Sequence, residues 1–364
     1  MEKQAVITAT DLCIGYRTHK GEKKVHEHLS FGLYPGELTS LLGANGAGKS
    51  TLLRTLSASQ PSLAGDLQLL GKPLQQYSEK ERSRTIGVVL TDKTQAGGLT
   101  VYELVALGRQ PHTGFFGRLH PKDHLIIKEA LDAVGIAHKA ESYTAELSDG
   151  ERQKVMIAKA LVQECPLIIL DEPTAFLDVV SRIEIMTLLH QLAVEQNKAI
   201  LLSTHDIEQA LVLSDKLWLL SKETGLQCGV TEDMILSHQM DNLFSHSNIR
   251  FDYDHGIYYP TVNGKQEITV EATDETLLHW TINALNRHGY TCLQTQNAPA
   301  GLPHLQVIAP DALYLTRGGK QRTVTSFGKL LEERKYRHAS TIPDHAQYLS
   351  VNQQYKVKKH SKFP

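Results

Sequence analysis

Apolar residues along the first 250 positions fall into short runs separated by stretches with helical spacing. Short runs predict strands over residues 6–14, 29–33 and 38–42. Two denser runs, at residues 166–170 and 199–203, are almost unbroken by polar side chains. Runs of that kind are typical of strands that are covered on both faces in a parallel sheet.

Helical spacing follows the same runs. Leucines recur at helical intervals over residues 52–56, residues 74–164 read mainly as helices, and residues 181–196 carry a further helical pattern. Strands that alternate with helices, with polar motifs at the strand ends, predict an α/β sheet. Such a sheet carries its site at the carboxyl edge of the strands.

The last hundred residues predict a smaller α+β extension. Residues 266–272 alternate as a strand, Asp274 caps the helix that follows, and Gly289 ends that helix. Further strands begin at residues 290–293 and 305–309. The pattern is that of a small separate fold.

Length and composition limit the class of protein. A chain of 364 residues exceeds one ordinary domain, so we expect two, over residues 1–249 and 250–364. A net charge of -2 gives no signal for a polyanion and argues against nucleic-acid binding. Four dispersed cysteines without a C-x-x-C pair favour free thiols in a reducing compartment. The N-terminus lacks the apolar run of a signal peptide and no apolar stretch is long enough to span a bilayer, so any membrane role requires a partner.

Residues 43–50 read G-A-N-G-A-G-K-S, the pattern of a phosphate loop. Its glycines allow backbone N–H groups to turn inward around a β-phosphate. We expect Lys49 to reach the β- and γ-phosphate oxygens, and the hydroxyl of Ser50 suits Mg²⁺. The alternative is a glycine-rich turn without chemical function, which the strand before the loop and the helix after it disfavour. The chain is therefore predicted to bind a nucleoside triphosphate.

Polar side chains also follow the two buried runs. Asp171 and Glu172 end the first run, and His205 follows the second. Asp171 suits the Mg²⁺ shell, Glu172 is placed to orient and deprotonate an attacking water, and His205 can hydrogen-bond a γ-phosphate. The alternatives are two acids that merely end a strand at solvent and an incidental histidine.

A fourth motif, Leu-Ser-Asp-Gly-Glu at residues 147–151, precedes a predicted helix, whose N-terminus attracts anions. Ser148 and Glu151 also match a capping box. With the segments Ile-Ile-Leu-Asp-Glu-Pro-Thr, Phe-Leu-Asp and Ser-Thr-His-Asp, these motifs occur in the order of an ABC-type ATPase cassette. The chain resembles that family over roughly residues 5–245. The resemblance implies a P-loop NTPase fold, with a RecA-like parallel sheet core, an antiparallel β part and a helical subdomain at about 74–164.

The resemblance implies how the nucleotide is held. Tyr16 would stack on adenine, the alternative being an ordinary core residue. The phosphates would be held by Asn45, Gly46, Ala47, Gly48, Lys49, Ser50 and Thr51. Lys49, Glu172 and His205 are the implied catalytic residues. The implied metal ligands are Ser50 and Asp171.

The resemblance further implies a site shared between two subunits. Ser148 and Gly150 match the signature that closes over the γ-phosphate of the opposite subunit's ATP, and Asp178 matches an acid that crosses the interface. The implied cofactors are ATP and Mg²⁺. The implied partner is a second copy of the chain in a head-to-tail homodimer.

Two positions depart from the family pattern. Asp149 stands where the signature usually has glycine, and Glu151 where it has glutamine. Asp149 adds negative charge near a phosphate, which weakens binding unless the side chain points away or caps the helix. Thr91 aligns with a glutamine that contacts Mg²⁺ and water, and Gln95 is out of register. We expect hydrolysis to survive, with metal contact or coupling altered.

Residues 99–111 and 115–119 resemble the ATP-binding subunits of importers for iron–siderophore complexes, haem and cobalamin. In that family the segment faces the membrane permease, which implies a peripheral subunit at the cytoplasmic face of the membrane. A substrate-binding protein would be an indirect partner, and nucleic acid is not expected. An amphipathic helix with a glycine end is the simpler explanation of the leucines. Zinc or manganese importers, a non-transport ABC ATPase and a nucleotide-sensing module stay open as alternatives.

The extension at residues 250–364 has no role assigned by pattern. A regulatory ligand-binding module is one hypothesis, and a dimer-stabilising or permease-contacting extension is the other. Its histidines include no pair at metal-ligand spacing, which disfavours metal sensing. A basic tail over residues 356–362 is either a solvated end or a segment attracted to anionic lipid.

Overall fold

The computed structural model describes residues 4–19, 21–90, 98–114, 117–244, 248–261, 264, 266–294 and 301–338. Contacts divide the chain into two units, Met1–Tyr259 and Pro260–Pro364. Each unit has its own hydrophobic core. In the described part of the chain, the helices are too short or too polar for any of them to cross a membrane.

A six-stranded sheet forms the centre of the first unit, in the order β10-β9-β3-β8-β7-β6. Its strands are β3 (Glu37–Leu42), β6 (Ile86–Val89), β7 (Leu167–Asp171), β8 (Ala199–Ser203), β9 (Lys216–Ser221) and β10 (Gly225–Val230). Each strand of this sheet pairs in parallel with its neighbour, except that β10 pairs antiparallel with β9. Every residue of β8 is buried, as the unbroken apolar run predicts for a strand covered on both faces.

A second, antiparallel sheet packs against this centre, in the order β2-β1-β4-β5. Its strands are β1 (Ile7–Thr18), β2 (Gly21–Leu33), β4 (Ala64–Leu69) and β5 (Lys72–Pro73). One core cluster joins the sheets, and within it the rings of Phe31 and Trp218 lie 4.5 Å apart between centroids. Helix α1 (Lys49–Leu56) contributes Leu52 and Leu56 to the same core. The phosphate loop is therefore anchored between the two sheets.

The first unit has seven further α-helices among its described residues. They are α2 (Glu79–Ser83), α3 (Val101–Ala106), α4 (Pro121–Ala133), α5 (Asp149–Leu161), α6 (Val179–Glu195), α7 (Ile207–Leu213) and α8 (Thr231–Leu236). Helices α3, α4 and α5 pack together in a helical layer, as predicted for residues 74–164. That stretch also contains strand β6, which the helical pattern did not predict. An apolar run of four residues cannot be told from a helix segment by periodicity alone.

A buried ion pair ties the helical layer together. Arg109, 3% exposed, donates from Nε to Asp123 Oδ1 at 2.8 Å. It also donates to the carbonyl of Val162 at 2.6 Å and to Glu164 Oε2 at 2.7 Å. Arg109 lies in the segment predicted to face the permease. Its own side chain, however, is buried and stabilises the interior of the helical layer.

A hairpin at the end of the first unit packs on that unit's core. Its strands are β11 (Ile249–Asp252) and β12 (Ile257–Pro260). Phe251 and Tyr258 pack edge-on with ring centroids 4.9 Å apart, in a cluster with Met240. The domain boundary predicted after residue 249 falls at the start of this hairpin and stays a prediction.

The second unit is a five-stranded sheet with two helices, in the order β14-β13-β15-β16-β17. Its elements are β13 (Gln266–Ala272), α9 (Glu275–Asn286), β14 (Tyr290–Gln294), β15 (His304–Ala309), β16 (Ala312–Arg317), β17 (Lys320–Val324) and α10 (Phe327–His338). The predicted cap is present, since Asp274 accepts from Leu277 N at 2.8 Å. The helix and three strands predicted here are confirmed, whereas β16, β17 and α10 were not predicted.

Candidate functional site

The loop between β3 and α1 has the backbone that its glycines predict. Gly46 and Gly48 have φ of 75° and 106°, in the left-handed region that side chains other than glycine rarely enter. At Gly43 a Cβ would lie 2.5 Å from the carbonyl oxygen of Leu220. Glycine is therefore required at these positions for steric reasons.

Lys49 begins helix α1 and its side chain folds back over the loop. It is 7% exposed, and Nζ donates to the carbonyl of Gly43 at 2.7 Å. Burial lowers the pKa of Lys49, while the nearby negative charges of Glu172 and Asp171 act in the opposite direction. The amine thus lies close to two carboxylates at the ends of the central strands.

These groups fit an anionic ligand with a bound cation. Helix α1 presents its N-terminus at the glycine loop, and Lys49 adds a positive charge there. Ser50 and Asp171 line one cavity beside the helix, and both are hard oxygen donors of the kind that Mg²⁺ prefers. The donor set therefore suits a polyphosphate with Mg²⁺.

Ser203 fixes the two acids that follow β7. Its hydroxyl donates to Asp171 Oδ1 at 2.6 Å and accepts from the backbone N–H of Glu172 at 3.0 Å. Ser203 is fully buried and lies opposite Asp171 in the parallel ladder. The motifs in the sequence assign this serine no role in the site, although a polar residue that ends an apolar run was the available signal.

Glu172 and His205 meet at the carboxyl edge of the sheet. His205 Nε2 lies 2.8 Å from Glu172 Oε1, and both side chains are partly exposed. Glu172 has φ of 48°, a strained conformation for a residue other than glycine, of the kind that clusters at functional sites. The contact brings together two predicted catalytic residues from neighbouring strands.

Tyr16 lies beside the same helix. It is 38% exposed, and its hydroxyl lies 2.6 Å from Thr51 Oγ1, the residue two positions into α1. A partly exposed aromatic side chain in this position is available for stacking, unlike an ordinary core residue.

The motif at residues 147–151 forms the capping box that its pattern predicts. Ser148 Oγ accepts from Glu151 N at 3.3 Å, and Glu151 Oε2 accepts from Ser148 N at 2.9 Å. The hydrogen bond from Lys139 and those from Ser148 lower the pKa of Glu151 to about 2. Asp149 pairs with Arg152 at 2.9 Å, so its charge is partly neutralised on its own helix.

Asp178 and its neighbours lie next to that motif. Asp178 caps α6, accepting from Ser181 N at 2.9 Å, and this lowers the pKa of its carboxyl. A Cβ on Gly150 would lie 3.2 Å from Ser181 Oγ, which places the start of α5 beside the start of α6. Arg182 donates to the carbonyl of Leu177 and to Asp206 Oδ1, both within 2.9 Å.

The contacts thus divide the predicted site residues into two groups. The first group surrounds the phosphate loop and comprises Tyr16, Asn45, Gly46, Ala47, Gly48, Lys49, Ser50, Thr51, Asp171, Glu172 and His205. The second comprises Ser148, Gly150 and Asp178, at the starts of α5 and α6. Thr91, Gln95 and the phenylalanines at 115 and 116 lie outside the described residues.

Two family models match the chain. The model described as ABC transporter matches residues 26–175, and the model described as Iron ABC transporter C-terminal domain matches residues 264–335. The first match covers the phosphate loop and both acids after β7. The second lies within the second unit.

Named relatives match about two thirds of the chain. The iron(3+)-hydroxamate import ATP-binding protein FhuC of Bacillus subtilis is 38% identical over 65% of this chain and 87% of its own length. The ferric enterobactin transport ATP-binding protein FepC of Escherichia coli is 35% identical over 67% of this chain and 88% of its own length.

Solved structures share the fold. One is an inward-facing metal-chelate type ABC transporter, with a TM-score of 0.57 and 27% identity over 70% of this chain and 96% of that one. Another is a dimeric ATP-binding cassette with ADP and Pi, with a TM-score of 0.54 and 24% identity over 62% of this chain and 98% of that one. The second likeness supports the fold alone.

Proposed function

Because this chain belongs to the ABC transporter family, whose cassettes bind and hydrolyse ATP to drive transport, we propose that it powers the import of chelated iron through a separate membrane permease. One observation carries the substrate class: the iron-transporter C-terminal model matches residues 264–335, a region beyond the cassette. Relatives named for ferric hydroxamate and ferric enterobactin support the same class. The names of these relatives do not support the alternative that the chain serves a zinc or manganese importer.

The first group of site residues binds the nucleotide in this proposal. Lys49 and the N–H groups of the glycine loop hold the phosphate oxygens, and the exposed ring of Tyr16 takes the adenine. Ser50 and Asp171 would hold Mg²⁺, which would neutralise phosphate charge. Ser203 keeps Asp171 in place by donating to its Oδ1.

Glu172 is the proposed general base. Its carboxylate accepts a proton from the attacking water, and His205 holds that carboxylate in place through the 2.8 Å contact. Lys49 stabilises the charge that develops on the transferred phosphoryl group, because its positive amine lies in a largely desolvated position.

The second group of site residues serves the opposite subunit. Ser148 and Gly150 present the N-terminus of α5, which attracts a phosphate. Next to them Phe176, Val179 and Val180 are exposed by 64% or more, an apolar surface around Asp178 that suits contact with a second copy. We therefore propose a homodimer with two ATP molecules at its interface.

The permease is the proposed membrane partner. Leu107, in the segment that resembles the permease-facing one, is exposed, and so are Leu125 and Tyr143 in the same helical part of the chain. The chain then acts at the cytoplasmic face of the membrane, and a substrate-binding protein is reached only through the permease. We place the cassette at residues 1–249, and the extension at 250–364 contains the region, residues 264–335, that the iron-transporter C-terminal model matches.

Uptake of labelled metal tests the substrate class. Cells that carry this chain and its permease are compared with matched cells in which Glu172→Gln replaces the wild type. We expect uptake of an iron–siderophore complex to be lost in the variant, while zinc and manganese uptake stays equal in both. Equal iron uptake in both strains contradicts the proposal, and a selective loss of zinc or manganese uptake supports the alternative importers.

A further inference from the structure

His26 lies on strand β2 and contacts the phosphate loop from the side of the antiparallel sheet. Its side chain is buried, with the residue 7% exposed. Nε2 lies 2.6 Å from the carbonyl oxygen of Ala47. A carbonyl oxygen can only accept, so Nε2 carries a proton and donates it to Ala47. This buried hydrogen bond joins the antiparallel sheet to the loop.

The imidazole also packs against the next residue of the loop. A Cβ on Gly48 would lie 3.1 Å and 3.2 Å from Cδ2 and Nε2 of His26, and 2.8 Å from Val25 Cγ1. Gly48 has φ of 106° and is the N-cap residue of α1. The ring therefore contacts the backbone at the point where the loop turns into the helix.

These contacts fix the orientation of one peptide group. The described part of the chain contains no cis peptide bond. In a trans peptide the C=O and the following N–H point in opposite directions. Holding the Ala47 carbonyl toward β2 therefore turns the N–H of Gly48 to the other side of the loop, where a phosphate is bound by inward-facing N–H groups.

We propose that His26 is a positioning residue for ATP binding, which holds the Ala47–Gly48 peptide so that the Gly48 N–H faces the phosphates. This inference rests on the proposed nucleotide site. If His26 only filled the core, replacing it would change stability. If it acts as the donor, replacing it lowers the affinity for nucleotide. Removing the donor leaves the peptide free to rotate, and the phosphate loses a preorganised partner.

Equilibrium titration with a fluorescent ATP analogue and Mg²⁺ tests the proposal on the full chain. We expect His26→Leu to raise the Kd for ATP by about fivefold to tenfold, the size of one lost hydrogen bond. His26→Gln places its amide nitrogen near the position of Nε2, so its Kd should stay within about twofold of wild type. His28→Ala is the matched control, because His28 lies on the same strand, is exposed and pairs with Asp11.

Two outcomes overturn the proposal: His26→Leu binds ATP like the wild type, or His26→Gln is as weak as His26→Leu. If His26→Leu does not fold, His26→Asn replaces it, since its shorter amide cannot reach the Ala47 carbonyl. A Kd for His26→Asn that is raised above that of His26→Gln then supports the proposal, and equal values overturn it. A wild type that binds no nucleotide at all overturns the proposed function itself.

Discussion

His205 Nε2 lies 2.8 Å from Glu172 Oε1, which joins the loops after β8 and β7 at the edge of the central sheet. Glu172 is held from the other side, because its backbone N–H donates to the hydroxyl and the carbonyl of Ser203. The proposed general base is therefore oriented through both its side chain and its backbone. Such double support is what a catalytic carboxylate requires.

Removal of His205 should slow hydrolysis without preventing binding. We expect His205→Ala to lower kcat by about 10- to 100-fold, because Glu172 loses its partner, with the Kd for ATP within about threefold of wild type. His190→Ala is the control, since His190 is a partly exposed histidine on α6 that pairs with Asp215. Phosphate release at saturating ATP measures the effect, and a His205→Ala rate equal to that of the control is the contrary result.

Arg109 should be a large contributor to the stability of the helical layer. We expect Arg109→Met to lower the free energy of unfolding by about 3 kcal/mol, because Asp123 is left buried without its cation. Urea unfolding followed by circular dichroism measures the change. Arg17→Met is the control, since Arg17 forms an exposed pair with Glu22 that should be worth about 1 kcal/mol or less. Equal effects of the two substitutions would be inconsistent with this structure.

Glu151 should make a pH-dependent contribution to stability. Its pKa falls from 4.5 to about 2 on folding, so the ionised form is favoured in the folded state. The contribution is therefore fully present above about pH 5 and is lost as the pH falls toward 2, because the unfolded chain takes up the proton first. The measurement is the difference in unfolding free energy between wild type and Glu151→Gln at several pH values. In the Lys139→Met background the pH dependence should become smaller. A difference in unfolding free energy between wild type and Glu151→Gln that grows as the pH falls would contradict this account.

Replacing Asp149 should have little effect on the KM for ATP, although Asp149 lies in the signature motif. Its carboxylate pairs with Arg152 on the exposed start of α5. Surface pairs of this kind contribute about 0–1 kcal/mol. We expect Asp149→Gly to change the KM for ATP by less than about threefold, measured by steady-state hydrolysis. A decrease in KM by about tenfold or more would mean that the charge does oppose phosphate binding.

Much of the fold could be predicted from the sequence where local signals are strong. The unbroken runs at β7 and β8 are typical of buried strands, and the glycine pattern at 43–50 fits the left-handed backbone seen at Gly46 and Gly48. Strand β6 was missed because four apolar residues have no distinguishing period, and it is a strand through pairing with β7. Strand β17 (Lys320–Val324) ends in a single apolar residue, Val324, and depends on antiparallel pairing with β16 at the sheet edge.

The grouping of the motif residues at one site could be predicted from the sequence, whereas the residues that hold them in place could not. Lys49, Asp171 and Glu172 belong to motifs whose spacing carries their roles. Ser203 and His26 act through contacts between residues that are distant in sequence, 31 and 21 positions apart from Glu172 and Ala47. Such contacts are set by strand order, which a single sequence does not encode locally.

The rate of ATP hydrolysis by the purified chain, for wild type and for Glu172→Gln, tests the central claim most directly. The control is Glu129→Gln, because Glu129 is exposed on α4 away from the loop. We predict Mg²⁺-dependent phosphate release by the wild type and the control, and a loss of about 100-fold or more in Glu172→Gln with ATP binding retained. Equal, near-zero rates for all three proteins, or equal activity in Glu172→Gln and wild type, would contradict the account.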